Sequence, residues 1–195
     1  MTLFKLANWT VKIACFMPIL YWIVGIYAEL LGVEPIVKIN TQSGYVVLVF
    51  LLINAALGAV HSLKLFKADY YRFLYGSRRY LGIFCGFYLI LHFTTYLAKE
   101  SFLPKAWVQI YTKNYLIAAS LSGIIILILM VTSNDFSVRK LKSNWKRLHN
   151  MIHLANLTVL FHVFLIEKAN LVLLGLLVLP VMVLQSYRVI RWYLR

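Results

Sequence analysis

The chain has 195 residues, 62% of them hydrophobic and only 13% charged, yet it carries a formal net charge of +14. Soluble domains run about 45–50% apolar, so a mean hydropathy of +0.79 excludes an ordinary water-soluble fold. The basic residues fall between apolar runs and not along one face, which excludes nucleic acid as the expected partner.

A helix needs roughly 20 apolar residues to cross a hydrocarbon core about 30 Å thick. Six stretches reach or approach that length, at about 10–31, 45–63, 80–98, 115–132, 149–166 and 170–187. Unpaired backbone groups are not tolerated in lipid, so each is expected to be helical. The first run is too long for a signal-peptide core and is expected to be a retained span. Cys15 and Cys85 lie inside apolar runs, and the chain has no CxxC pair and no CxxCH motif for covalent haem attachment. GVEP (Gly32–Pro35) and QSG (Gln42–Gly44) are expected to bound a first outer loop. YGSRR (Tyr75–Arg79) and TSND (Thr132–Asp135) are expected to bound inner ones.

Orientation follows from the basic residues. With the N-terminus inside, the inner side holds Lys5, Lys12, Lys64, Lys67, Arg72, Arg78, Arg79, Arg139, Lys140, Lys142, Lys146, Arg147, Arg188, Arg191 and Arg195, 15 of the 20 Lys and Arg. Lys38, Lys99, Lys105, Lys113 and Lys168 fall outside, with Glu29, Glu34, Glu100 and Glu167. Trp9, Trp107 and Trp192 stand near span ends, as interfacial aromatics do. The inner loops, about 64–79 and 133–148, are too short to fold a flavin or nicotinamide domain, and no GxGxxG occurs. Residues 1–195 are therefore expected to form one all-α membrane domain, a six-transmembrane-helix bundle in the bilayer with both termini cytoplasmic.

The chemistry lies in five histidines, His61, His92, His149, His153 and His162, all in or at the edges of spans. Ionisable groups inside a span are costly and usually functional. No ladder of buried carboxylates accompanies them, as a proton or cation path would typically require. Neutral imidazole is an inexpensive metal ligand to bring into lipid and a standard axial ligand of haem iron. At a rise of 1.5 Å per residue, His92 lies roughly 20 Å past Arg79 and His162 roughly 22 Å past Arg147. They stand at matched heights on two helices, as the axial ligands of one haem must. His149, His153 and His61 fall at the inner level and form a second candidate set, from which no single ligand emerges. A histidine near a span end commonly serves only as an interfacial hydrogen-bonding group, and that role competes most at His61 and His153.

Two runs carry a family resemblance. RRYLGIFCGFYLILHFTTYL (Arg78–Leu97) is similar to the third span of the MsrQ family, formerly YedZ, within the ferric-reductase-like transmembrane superfamily. RKLKSNWKRLHNMIHLANLTVLFH (Arg139–His162) resembles that family's W..LH element with a second histidine 13 residues on. GVEPIVKINTQSG (Gly32–Gly44) and NYLIAASLSGIIILILMVTS (Asn114–Ser133) resemble its first outer loop and fourth span.

The resemblance implies a haem b electron-transfer subunit of the bacterial inner membrane, holding one or two haems and feeding a periplasmic molybdopterin-containing methionine sulfoxide reductase. It implies electrons from the quinone pool or a cytoplasmic flavin reductase, and FMN as a further cofactor. It maps axial haem ligation to His92, His162 and His149, with His61 and His153 as additional candidates. Arg78, Arg79, Arg139 and Lys140 become candidate contacts for haem propionates or a flavin phosphate. Other members of the superfamily carry a second histidine on span three, about two heptads before the first; here Arg78 stands there. No bond-making chemistry of its own is expected. The competing reading is a small transporter or channel that uses its histidines for protons or metal ions.

Overall fold

The computed structural model describes residues 2–63, 68–166 and 171–193. Lys64, Lys67, Glu167, Lys168 and Arg195 of the charge reckoning lie outside the described residues, as do the side chains of Lys5, Arg72 and Trp192.

The described chain is helical, with no strand among the described residues. The helices are α1 (Thr2–Tyr27), α2 (Pro35–Leu63), α3 (Ala68–Lys99), α4 (Pro104–Thr112), α5 (Asn114–Val131), α6 (Asp135–Leu141), α7 (Ser143–His149), α8 (Ile152–Phe164) and α9 (Leu171–Tyr193). Five of them, α1, α2, α3, α5 and α9, are long and apolar enough to cross a membrane.

The fifth expected span, 149–166, differs. Its membrane-depth part is α8, only 13 residues and about 20 Å long. The helical path continues back into α7 through Asn150 and Met151, both in right-handed helical conformation. There the bonds tighten to i−3, from Met151 N–H to Leu148 O (3.0 Å) and His153 N–H to Asn150 O (3.1 Å). The tight turn divides the run but keeps its direction helical.

Two expected loops also prove helical. Pro35 opens α2, where its missing N–H costs nothing, so QSG lies inside the helix and bounds no loop. YGSRR lies inside α3. Turn-forming residues lose that meaning within a long apolar helix, because hydrocarbon offers the backbone no alternative partner. Between α3 and α5, Pro104 opens the short α4, whose Trp107 ring packs edge-on to Phe93 at 6.1 Å. TSND does end α5, but the expected loop at about 133–148 carries α6 and α7; the Asn134 side chain caps α6 by accepting from Ser137 N–H at 2.8 Å.

Packing fixes the arrangement. α2 runs along α3, α5 along α8 and α3 along α5, while α9 and α1 lean on α2 and α3 respectively. α2 touches α8 only briefly, so α2, α3, α5 and α8 close a ring in which α3 and α8 are linked chiefly through their neighbours. Small residues bring the backbones close: Ser43 and Ala59 on α2, Cys85 on α3, Ser122 on α5 and Ala155 on α8 are buried. Gly86 gives Met130 of α5 room against α3. Tyr88 anchors α1 by donating its hydroxyl to Cys15 O at 2.6 Å. Outward, Leu20, Ile124, Leu157, Leu176 and Val183 are exposed, a composition suited to lipid and not to water.

Candidate functional site

His92 sits on α3 and His162 on α8, both toward the C-terminal ends of their helices. His92 Nδ1 lies 2.8 Å from Asn40 O on α2. His162 Nδ1 lies 2.8 Å from Tyr115 O on α5, and the Tyr115 ring stacks on the imidazole at 6.0 Å and 29°. A carbonyl can only accept, so in each ring the proton belongs on Nδ1, and Nε2 keeps its lone pair. No hydrogen bond engages either Nε2 among the described residues. Metal-ligating histidines are commonly held this way, the far nitrogen tied to a backbone carbonyl so that ring and tautomer are fixed. The two imidazoles are near enough for a charge on one to be felt by the other. The two imidazoles come from opposite members of the ring of helices, each with Nδ1 held by a backbone carbonyl, which leaves on each the kind of nitrogen that serves as an axial ligand of haem iron. No cluster of three or more His, Cys, Asp or Glu that would hold a bare metal ion occurs among the described residues.

The inner-level candidates separate. His149 ends α7: its ring stacks on Trp145 at 3.9 Å and 24°, and its Nε2 lies 3.2 Å from Thr132 Oγ1. Trp145 Nε1 donates to Thr132 O at 2.9 Å, which ties α7 to the end of α5. Arg78 and Arg79 lie within electrostatic reach of His149. Arg78 Nε donates to Asn54 Oδ1 at 3.3 Å, and its guanidinium packs over Gly58, where an added Cβ would come within 3.1 Å. Arg79 instead turns outward to Asp135 at 2.8 Å, an exposed pair of the kind worth about 0–1 kcal/mol. Arg139 and Lys140 lie on exposed α6, with Lys140 over the Phe136 ring at 5.7 Å; no bond joins them to Arg78 or to the histidines among the described residues. His61 is exposed near the end of α2. His153 lies nine residues before His162 on α8, half a revolution round the helix, and so cannot serve the outer pair.

Three partners of the outer site were not singled out from the sequence. Asn40 both accepts from His92 through its carbonyl and donates from Nδ2 to His92 O at 2.8 Å and Thr95 Oγ1 at 3.1 Å, a reciprocal clamp between α2 and α3. Tyr115 contributes a carbonyl and a stacked ring. Gly44 leaves the space that the His92 ring fills. Only Gly44 carries a sequence signal, a glycine one helical turn after Asn40. Asn40→Leu removes the donated half of the clamp and keeps the backbone acceptor. It is expected to lower stability by about 1 kcal/mol, read by thermal unfolding in detergent, without changing the Nδ1 tautomer seen by nitrogen NMR of His92.

Residues 43–161 match the family described as the ferric reductase like transmembrane component. The protein-methionine-sulfoxide reductase heme-binding subunit MsrQ of Xanthomonas euvesicatoria pv. vesicatoria (strain 85-10) is 30% identical over 148 residues, 74% of this chain and 65% of that protein. The subunit of the same name from Xanthomonas oryzae pv. oryzae (strain MAFF 311018) is 29% identical over the same extent. The chain therefore spans about 65% of the length of these curated relatives. No solved structure matches. The resemblance to MsrQ read from the motifs is borne out, and the chain belongs to the ferric-reductase-like transmembrane family.

Proposed function

We propose that this ferric-reductase-like membrane protein is a haem b electron-transfer subunit, carrying electrons outward from the quinone pool or a cytoplasmic flavin reductase to a periplasmic molybdopterin methionine sulfoxide reductase. The observation that carries the reading is the paired His92 and His162, each with Nδ1 committed to a carbonyl at 2.8 Å and Nε2 free to ligate. In this reading residues 1–195 form a single domain with both termini cytoplasmic, α7 and α8 together completing a sixth crossing of a bacterial inner membrane. The proposed haem supplies reversible one-electron chemistry at iron. The chain's residues orient the imidazoles, exclude water and set the distance to partners.

His149 is proposed as the ligand of an inner haem, with Arg78 as its propionate partner, because the two lie within electrostatic reach. FMN rests on the family alone, with Arg78, Arg79, Arg139 and Lys140 as the candidate contacts for its phosphate.

A pyridine haemochrome assay per mole of purified protein tests both levels. Two haems in the wild type and one in His149→Ala are expected. An unchanged count in that variant removes His149 from the ligand set, and no haem in the wild type overturns the function. With chemically reduced protein, adding the periplasmic reductase and methionine sulfoxide is expected to reoxidise the haem within seconds. Persistent reduction would remove that partner.

A further inference from the structure

α9 leans on α2 and barely meets α8, so the bundle is open along the seam between α8 and α9. A cleft of about 400 Å³ occupies that seam, on the side of α8 away from His162. Apolar side chains of α2, α8 and α9 wall it, and its polar lining is His153, Asn156, Gln185, Ser186 and Arg188. No carboxylate lines it. Arg188 has no ion-pair partner among the described residues, and the side chains of His153, Asn156 and Ser186 make no hydrogen bond there. Gln185 donates one Nε2 hydrogen to Ala55 O at 2.8 Å and keeps the other. A half-buried cation without a counter-charge and amides without partners are costly at membrane depth, and such groups usually face a ligand.

These groups form two layers. α8 and α9 run in opposite senses, so Asn156 lies three residues deeper than His153, and Gln185 three deeper than Arg188. At 1.5 Å per residue, the neutral amides stand about 4.5 Å beyond the cationic layer. Past them the cleft is apolar along α2 from Ala55 to Leu48, about 10 Å more. Arg188 stands about one and a half turns before the end of α9 at Tyr193, at the level where a spanning helix meets the membrane interface. The lining therefore asks for an anion at the interface, then hydrogen-bond acceptors, then hydrocarbon. That is the order of groups in a glycerophospholipid: phosphate, glycerol esters, acyl chain.

We infer that this cleft binds one anionic glycerophospholipid of the surrounding leaflet, which closes the seam between α8 and α9. Its phosphate accepts from the Arg188 guanidinium and the Ser186 hydroxyl. Its ester carbonyls accept from Asn156 Nδ2 and from the second N–H of Gln185. One acyl chain follows the apolar wall of α2, and the other stays in the bilayer. An anionic head is favoured over a zwitterionic one, because Arg188 and Arg78 both lie within electrostatic reach of His153 and no carboxylate in the lining offsets them. Basic pockets between spanning helices on the cytoplasmic side are a recurrent seat for such heads, and with both termini cytoplasmic the mouth of this cleft opens on that side. The inference needs only that α2, α8 and α9 stand in a membrane, so it holds or fails apart from the electron-transfer reading.

The test uses the full-length protein, delipidated in detergent, with dioleoylphosphatidylglycerol as the probe and thermal unfolding as the readout. A saturable rise in unfolding temperature is expected, half-complete at a lower mole fraction than with dioleoylphosphatidylcholine. Dioleoylglycerol keeps the esters and chains but lacks the phosphate, and glycerol 3-phosphate lacks the chains; neither should give a saturable rise. Arg188→Gln should raise the half-saturating fraction at least tenfold, for the loss of a charge-assisted bond, and Asn156→Leu about fivefold, for the loss of a neutral one. Arg191→Gln, exposed and outside the cleft, controls for general attraction of anionic lipid and should leave the fraction unchanged. Native mass spectrometry should find one phosphatidylglycerol retained per wild-type chain and none on Arg188→Gln. No saturable rise, a rise unmoved by both cleft variants, or equal weakening in Arg188→Gln and Arg191→Gln overturns the site. An equal rise with dioleoylglycerol or with glycerol 3-phosphate overturns the phospholipid as its occupant, and equal affinity for phosphatidylcholine overturns the preference for an anionic head.

Discussion

Alanine at His92 or at His162 is expected to abolish six-coordinate low-spin absorption from the outer haem and to halve haem per mole of protein. The two rings come from helices that touch mainly through α2 and α5. Loss of either ligand therefore leaves the bundle standing and the site half-built. In the proposed site an axial ligand would be lost outright, whereas altering a group that only orients a ligand typically costs 10–100-fold in affinity. The Nδ1 bonds sharpen the expectation. Once either side chain is cut, Asn40 O or Tyr115 O is left as an aimed acceptor beside an imidazole-sized space. Exogenous imidazole at millimolar concentration should enter that space and restore the low-spin spectrum. His61→Ala, at an exposed position near the inner end of α2, is the control and should leave the spectrum intact. Unaltered spectra in both His92→Ala and His162→Ala would refute the outer pair.

The nearness of these two histidines was legible because helix rise is arithmetic: counted from the basic residue before each, every residue adds 1.5 Å, and the two counts match. Their supports were not. Asn40 and Tyr115 act on the rings through carbonyl oxygens, which every residue possesses, so no residue type signals the role. The expected span at 149–166 missed its tight turn at Asn150–Met151, since a run of apolar residues looks the same with or without a shift from i−4 to i−3 bonding. The four candidate anion contacts were equivalent as charges but not in space: only Arg78 faces the bundle, while Arg79 is spent on Asp135 and the α6 cations are exposed. The glycine of QSG suggests a loop boundary, because glycine in water usually marks a turn. In lipid it more often marks a close approach between helices.

That glycine yields the second large effect. A Cβ at position 44 would lie 3.0 Å from His92 Cε1, 3.2 Å from Nδ1 and 3.7 Å from Nε2. The imidazole cannot swing away freely, because its Nδ1 is bonded to Asn40 O one turn earlier on the same helix. Gly44→Ala must therefore push the ring a few tenths of an ångström or break that bond. A tenfold to hundredfold fall in haem affinity is expected, the range for disturbed support of a metal ligand. Gly44→Val, with a branched side chain in the ring's space, is expected to leave the outer site empty although both histidines are present. Stability should move the other way. Glycine inside a helix costs about 1 kcal/mol against alanine, so haem-free Gly44→Ala should unfold no earlier than wild type. Haem titration and thermal unfolding, run side by side, separate the two effects. If affinity and stability fall together, position 44 serves only helix packing; if affinity alone falls, the glycine is there for the ligand.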